Sequence, residues 1–211
     1  MTGPASFPDT NAPAGAAPPP GLADPVFDAQ RLFRVVLEAL SRPATLHPLP
    51  LEVAPPRPLN PWVGAVALAL CDLDTPVWLD PTLDDPAVRA WLRFHTGCPL
   101  VTDPGAAAFA FVGDTARLDD LAVFGIGTEE YPDRSTTVVA QVAALGRGAE
   151  GPRLTGPGIP DPIHLAAEGL PPGFWTAWKD NAALYPQGID LLLAAPDQLA
   201  GLPRSTRITE G

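Results

Sequence analysis

A chain of 211 residues, 46% of them hydrophobic, can bury a core without help from disulfides or a metal. Its 24 acidic against 13 basic residues leave a formal charge of −11, which excludes the counterion-displacing surface that nucleic-acid binding needs. Two cysteines, Cys71 and Cys98, make no disulfide framework, no apolar run reaches the roughly 18 residues of a membrane span, and no basic and apolar leader opens the chain, so a cytoplasmic protein is expected.

Residues 1–20, "MTGPASFPDTNAPAGAAPPP", are rich in alanine and proline and read as a disordered tail; residues 21–211 read as a single domain. "DPVFDAQRLFRVVLEAL" predicts a helix with Asp24 as N-cap and Pro25 at its first position. Val26, Phe33, Val36, Leu37 and Leu40 form its apparent core stripe, and Pro43 ends it. "NPWVGAVALALCD" repeats the start signal at Asn60 and Pro61 and, apolar all round, predicts a short buried helix. "TPVWLD" predicts a strand, and "DDPAVRAWLRFHTG" a helix from Asp85 and Pro86 to Gly97. "AAFAFVG" and "STTVVAQVAAL" predict strands, the latter with high β-branched content. "PGFWTAWKDNAALYP" predicts a late helix, and "GIDLLLAA" a strand buried on both faces. Alternating helices and strands give the expected fold class: α/β, a mixed sheet flanked by helices.

Gly146, Gly148 and Gly151 match the spacing G-x-G-x-x-G of a phosphate-binding loop. Such a loop needs its third glycine to open a helix, and Gly151 instead leads into "PRLTGPGIP", whose prolines forbid one. A hairpin is expected: a strand over 136–145, a turn at "GRGAEG", and a returning strand "PRLTG" that breaks at "GPGIP". His95 and Cys98 have a zinc-like gap but no second ligand pair, so no metal site is expected. No nucleophile elbow, P-loop or H-E-x-x-H is present. The acid pairs Asp84–Asp85, Asp119–Asp120 and Glu129–Glu130 read as solvated charge, and Asp72 and Asp74 as turn residues. Arg89 and Arg93 lie one helical turn apart beside His95 and could together hold an anion, but the plainer reading is a solvated face on which they pair with local acids. The late helix has two adjacent apolar faces: either both Trp175 and Trp178 lie in the core, or one of them, Trp175 the better candidate, contacts a partner or a second protomer.

Several stretches together resemble the PhnH subunits of carbon–phosphorus lyase: "FDAQRLFRVVLEALSRPATL", "DLDTPVWLD", "LRFHTGCPL", "LTGPGIP", "NAALYPQGIDLLL" and "GLPRSTRI". They span most of residues 24–208 in the family's order, with Ala44 standing where that pattern has glycine. The resemblance implies a bacterial cytoplasmic protein of organic phosphonate catabolism. It implies a core complex with PhnG, PhnI and PhnJ that supports formation of ribose 1-alkylphosphonate 5-triphosphate from ATP and an alkylphosphonate. It further implies a fold similar to pyridoxal-phosphate-dependent transferases without the cofactor, and a homodimer when isolated.

Two functions from different classes are therefore expected as rivals. One is an accessory subunit with no catalytic, cofactor-binding or metal-binding residue of its own. The other is a small-molecule enzyme or ligand-binding protein that uses Arg89, Arg93 and His95 on an anionic substrate. The single lysine, Lys179, lies between Trp178 and Asp180 and is read as solvent-facing, which argues against a Schiff base.

Overall fold

The computed structural model describes residues 18–148 and 151–209. Its helices are α1 (Pro25–Ser41), α2 (Pro61–Leu70), α3 (Pro86–His95) and α4 (Phe174–Ala183). Its strands are β1 (His47–Pro48), β2 (Val77–Leu79), β3 (Leu100–Val101), β4 (Phe109–Val112), β5 (Thr137–Gln141) and β6 (Ala144–Gly146), followed by β7 (Arg153–Gly156), β8 (Ile159–His164), β9 (Ala166–Glu168), β10 (Asp190–Ala194), β11 (Gln198–Leu202) and β12 (Arg207–Thr209). Short 3-10 turns at Thr115–Asp119 and Leu121–Val123 link β4 to β5.

The central sheet runs β1-β11-β10-β5-β4-β2-β3. β3, β2, β4, β5 and β10 are parallel, β11 runs against β10, and β1 against β11. Strand alternation sends Val77, Leu79, Phe111, Val139 and Leu192 to one face, where they meet Leu32, Val36, Trp62, Val66 and Trp91 of α1, α2 and α3. Ala110, Val112, Val138, Leu191 and Leu193 point the other way, onto Phe174 and Trp178 of α4 and Leu118, Leu121 and Phe124 of the turns. Both faces are covered, so the strands carry unbroken apolar runs such as "LLLA". The mixed α/β sheet expected from the sequence is the one that forms. β12-β7-β8 and β6-β9 make two smaller sheets.

The helix starts follow their signals. Asp24, Asn60 and Asp85 cap α1, α2 and α3 with side-chain oxygens on free backbone N–H groups, each ahead of a first-turn proline. The core face of α1 is only partly the one expected: Val36 and Leu40 of the expected stripe pack in or against the core. Asp28, Leu32, Val36 and Ala39 are buried, whereas Val26 (74% exposed), Phe33 and Leu37 face outward. α1 is apolar on two sides, and its tight seat selects the side with the small residue: a Cβ on Gly201 of β11 would lie 2.4 Å from the Ala39 carbonyl.

The run over 136–145 is two strands, not one. Val142 N–H still donates to Ala194 of the central sheet (3.0 Å), but Ala143 N–H donates to Glu168 (2.9 Å), and β6 pairs with β9. The expected hairpin between 136–145 and "PRLTG" is thereby overturned. β7 pairs instead with β8, so "GPGIP" is the hairpin turn and the start of its second strand. Gly158 takes φ +79, and a Cβ there would lie 2.0 Å from the Ser41 carbonyl, so both its backbone and its space require glycine. Ala149 and Glu150 of the "GRGAEG" segment lie outside the described residues.

Ala44 is fully buried at φ 62 with its N–H on the Gly201 carbonyl (3.0 Å). A left-handed conformation costs a non-glycine residue roughly 1–2 kcal/mol, while one buried methyl contributes about 0.8 kcal/mol. Ala44→Gly is therefore expected to raise stability by up to about 1 kcal/mol, and Ala44→Val to lower it. Urea unfolding of the two variants checks the sign; a less stable glycine variant would contradict the reading.

Candidate functional site

Parallel α/β sheets bind ligands outside the C-terminal ends of adjacent strands whose following loops leave to opposite faces. Here those strands are β2 and β4. The chain after β2 enters α3, packed on the first face, and the chain after β4 enters the turns packed on the second. The crevice between them is filled by the chain's own Asp80, which is fully buried. One carboxylate oxygen accepts from Thr82 N–H (2.6 Å), Thr82 Oγ1 (2.5 Å) and Leu83 N–H (3.2 Å), and the other from Gly113 N–H (2.6 Å) and Asp114 N–H (2.7 Å). These donors would otherwise be the ready-made cradle for an anionic ligand.

Beside this crevice a cavity of about 480 Å³ is lined by Trp78, Asp84, Arg89, Thr102 and Arg117, among others. The Arg89 guanidinium closes on Asp84 through both Nε and Nη2, which holds the Asp84 carboxyl below its usual range. Arg93 is exposed one turn further along α3. His95 turns elsewhere: its Nε2 lies 2.9 Å from the Pro19 carbonyl oxygen and its ring packs on Trp91 and Phe94. Arg89, Arg93 and His95 thus do not converge on one ligand. Arg117, which no sequence motif singles out, is the cation that shares a cavity with Arg89, because the topology brings the turn after β4 beside α3.

The other candidates hold the fold together. Trp91 Nε1–H donates to the same Pro19 carbonyl (3.0 Å), so the described chain is fastened ahead of α1; residues 1–17 of the expected tail lie outside the described residues. His47 Nε2 lies 2.6 Å from Thr45 Oγ1 and His164 Nδ1 2.9 Å from the Gly151 carbonyl. Burial lowers the His47 pKa and raises those of the Cys71 and Cys98 thiols, which keeps both cysteines protonated and unreactive. Asp72 accepts from Asp74 N–H and Thr75 Oγ1 in a turn, Asp85 caps α3, and Asp120 caps the Leu121–Val123 turn. Among the described residues no group of three or more His, Cys, Asp and Glu side chains could hold a metal ion, and no helix is long and apolar enough to cross a membrane.

Sequence reasoning missed the strongest polar network. Arg204 donates to Asp190 through Nε (3.1 Å) and Nη2 (2.6 Å), to the Pro132 carbonyl (2.6 Å) and to Ser135 Oγ, while its backbone N–H also reaches Asp190 (2.8 Å). The network ties the β11–β12 loop to the start of β10 and to the 132–135 turn. Asn181 of α4 bonds both backbone groups of Ile189, and Trp178 Nε1–H donates to the Thr206 carbonyl (3.1 Å). Trp178 is buried as expected; Trp175 is half-buried, edge-on to Phe174 and packed against the same core. Lys179 is exposed on α4.

These features define a layered α/β protein in which buried Asp80 and Asn181 are bonded to the chain's own loops. The family model described as "Bacterial phosphonate metabolism protein (PhnH)" matches residues 20–209. The chain belongs to this PhnH family. It is 44% identical over 187 residues, 88% of this chain and 92% of the relative, to a protein of Rhizobium meliloti (strain 1021) named alpha-D-ribose 1-methylphosphonate 5-triphosphate synthase subunit PhnH. Over 85 residues, 39% of this chain and 42% of the relative, it is 41% identical to HtxG of Stutzerimonas stutzeri, named as a candidate C-P lyase subunit protein.

Asp80→Ala leaves buried donors in two loops unpaired, and is expected to cost at least about 3 kcal/mol. Equilibrium unfolding checks this; a loss below about 1 kcal/mol, an ordinary surface value, would contradict the role given to Asp80. A chain starting at Pro18 is expected to keep its melting temperature. One starting at Leu22 should melt lower, since the Trp91 N–H then loses its partner; equal melting of the two would show that the Pro19 contact contributes nothing.

Proposed function

We propose that the chain is an accessory subunit of a carbon–phosphorus lyase system, supporting the step that forms ribose 1-alkylphosphonate 5-triphosphate from ATP and an alkylphosphonate. The observation that carries this is the near full-length match to the Rhizobium synthase subunit. The site geometry supports it: the switch-point crevice is closed by Asp80, and Arg89, the best-placed cation of the rival anion site, is closed on Asp84. On this reading the chain has no catalytic residue, cofactor or metal of its own, and its reaction chemistry lies in its partners.

The finer features follow the family resemblance. The partners are PhnG, PhnI and PhnJ, the compartment is the cytoplasm, and the isolated chain forms a homodimer. The fold is similar to that of pyridoxal-phosphate-dependent transferases, without the cofactor. The exposed position of Lys179 on α4, where no enclosed site would hold a Schiff base, supports the cofactor-free reading.

Co-expression with tagged PhnG, PhnI and PhnJ of the same organism tests the proposal: the chain should co-purify with them, and synthase activity should fall when it is left out. Failure to associate, or full activity without it, would contradict the accessory role. Incubation with pyridoxal phosphate should give no borohydride-sensitive absorbance; a band lost in Lys179→Ala would overturn the cofactor-free reading.

A further inference from the structure

A cavity of about 620 Å³ opens between the 119–126 segment and one exposed stripe of α4. Leu121 and Phe124 form its floor, Ala177 and Leu184 its α4 wall, and Asp120 and Asp180 stand in its lining. Leu184 is 44% exposed although the same helix buries Phe174 and Trp178 completely on its core side. Thr176, Asp180 and Leu184 face outward in a row beside the core stripe, with half-buried Ala177 at the boundary between them.

No lysine, arginine or histidine lines the groove. An anionic ligand such as ATP or a phosphonate would meet only carboxylates there. A second copy would bring a further −11 of net charge to an acidic surface. Charge complementarity instead selects a cationic partner, and the apolar floor selects one with a hydrophobic anchor. We infer that this groove receives an amphipathic segment of another subunit of the complex, an apolar side chain seated over Leu121 and Phe124 with lysine or arginine beside it facing Asp120 and Asp180. The inference rests on the accessory-subunit reading and gives it a contact surface.

The anchor would enter as in helix-in-groove recognition. Ala177→Trp fills the groove with an indole, and Asp180→Lys reverses the charge on its α4 wall while touching only an exposed position. Both are purified as full chains, checked for unchanged melting, and titrated into a complex of the remaining subunits by surface plasmon resonance, with the unaltered chain alongside. The expected result is an affinity about tenfold or more weaker for each variant, with the unaltered chain weakening as salt is raised. Should Ala177→Trp fail to fold, the charge-reversed chain decides. If the unaltered chain binds and the charge-reversed chain binds equally well, the groove is not the contact and the subunit reading stands. If the unaltered chain does not bind the complex at all, the subunit reading fails and the groove assignment falls with it. A homodimer lost only in the groove variants would assign the surface to a second copy and likewise overturn the inference.

Discussion

The structure turns on one buried carboxylate. Asp80 sits at the C-terminal end of β2, where the loops after β2 and β4 part toward opposite faces, and bonds to both of them. In a ligand-binding α/β protein these N–H groups would face a phosphate or carboxylate from solution. Here the carboxyl group that accepts from them is covalently part of the chain. The sheet keeps the topology of a binding protein while its natural binding crevice is used to hold α3 and the turns after β4 in place.

The same economy holds at the other end of the sheet. The stretches that mark the family meet there in pairs: "SRPATL" supplies Ala44 to Gly201 and Ser41 to the close approach of Gly158, while "NAALYPQGIDLLL" supplies Asn181 to Ile189 and Asp190 to Arg204 of "GLPRSTRI". A bidentate arginine–carboxylate pair that also satisfies backbone carbonyls is favourable where a lone buried charge would not be. The polar residues of these motifs thus specify a shape, and a shape is what a subunit presents to its partners.

Local signals in the sequence were legible; non-local choices were not. Capping residues with a first-turn proline marked α1, α2 and α3 because those hydrogen bonds close within a few residues. The face α1 buries was partly misread because Val26, Phe33 and Leu37 are as apolar as the residues that do pack, and the decision belongs to the distant Gly201. The break between β5 and β6 was invisible because nothing in "STTVVAQVAAL" records that Val142 and Ala143 donate to different sheets. At the candidate site, the expected pairing of Arg89 with a local acid forms, with Asp84, whereas the rival anion site of Arg89, Arg93 and His95 does not assemble. Arg93 and His95 lie beside it in sequence, whereas the cation across the cavity, Arg117, comes from another connection of the sheet. The roles of Asp80 and Arg204 were not legible: both stand in the quoted stretches "DLDTPVWLD" and "GLPRSTRI", but their partners come from distant loops.

A chain whose switch-point crevice is already occupied should not bind the reactants by itself. The most direct measurement is isothermal titration of the isolated protein with ATP and with methylphosphonate, singly and together. The account expects no saturable heat at submillimolar concentration with any of them. Saturable submillimolar binding that disappears in Arg89→Ala or Arg117→Ala would contradict it and make the cavity beside Asp80 a substrate site.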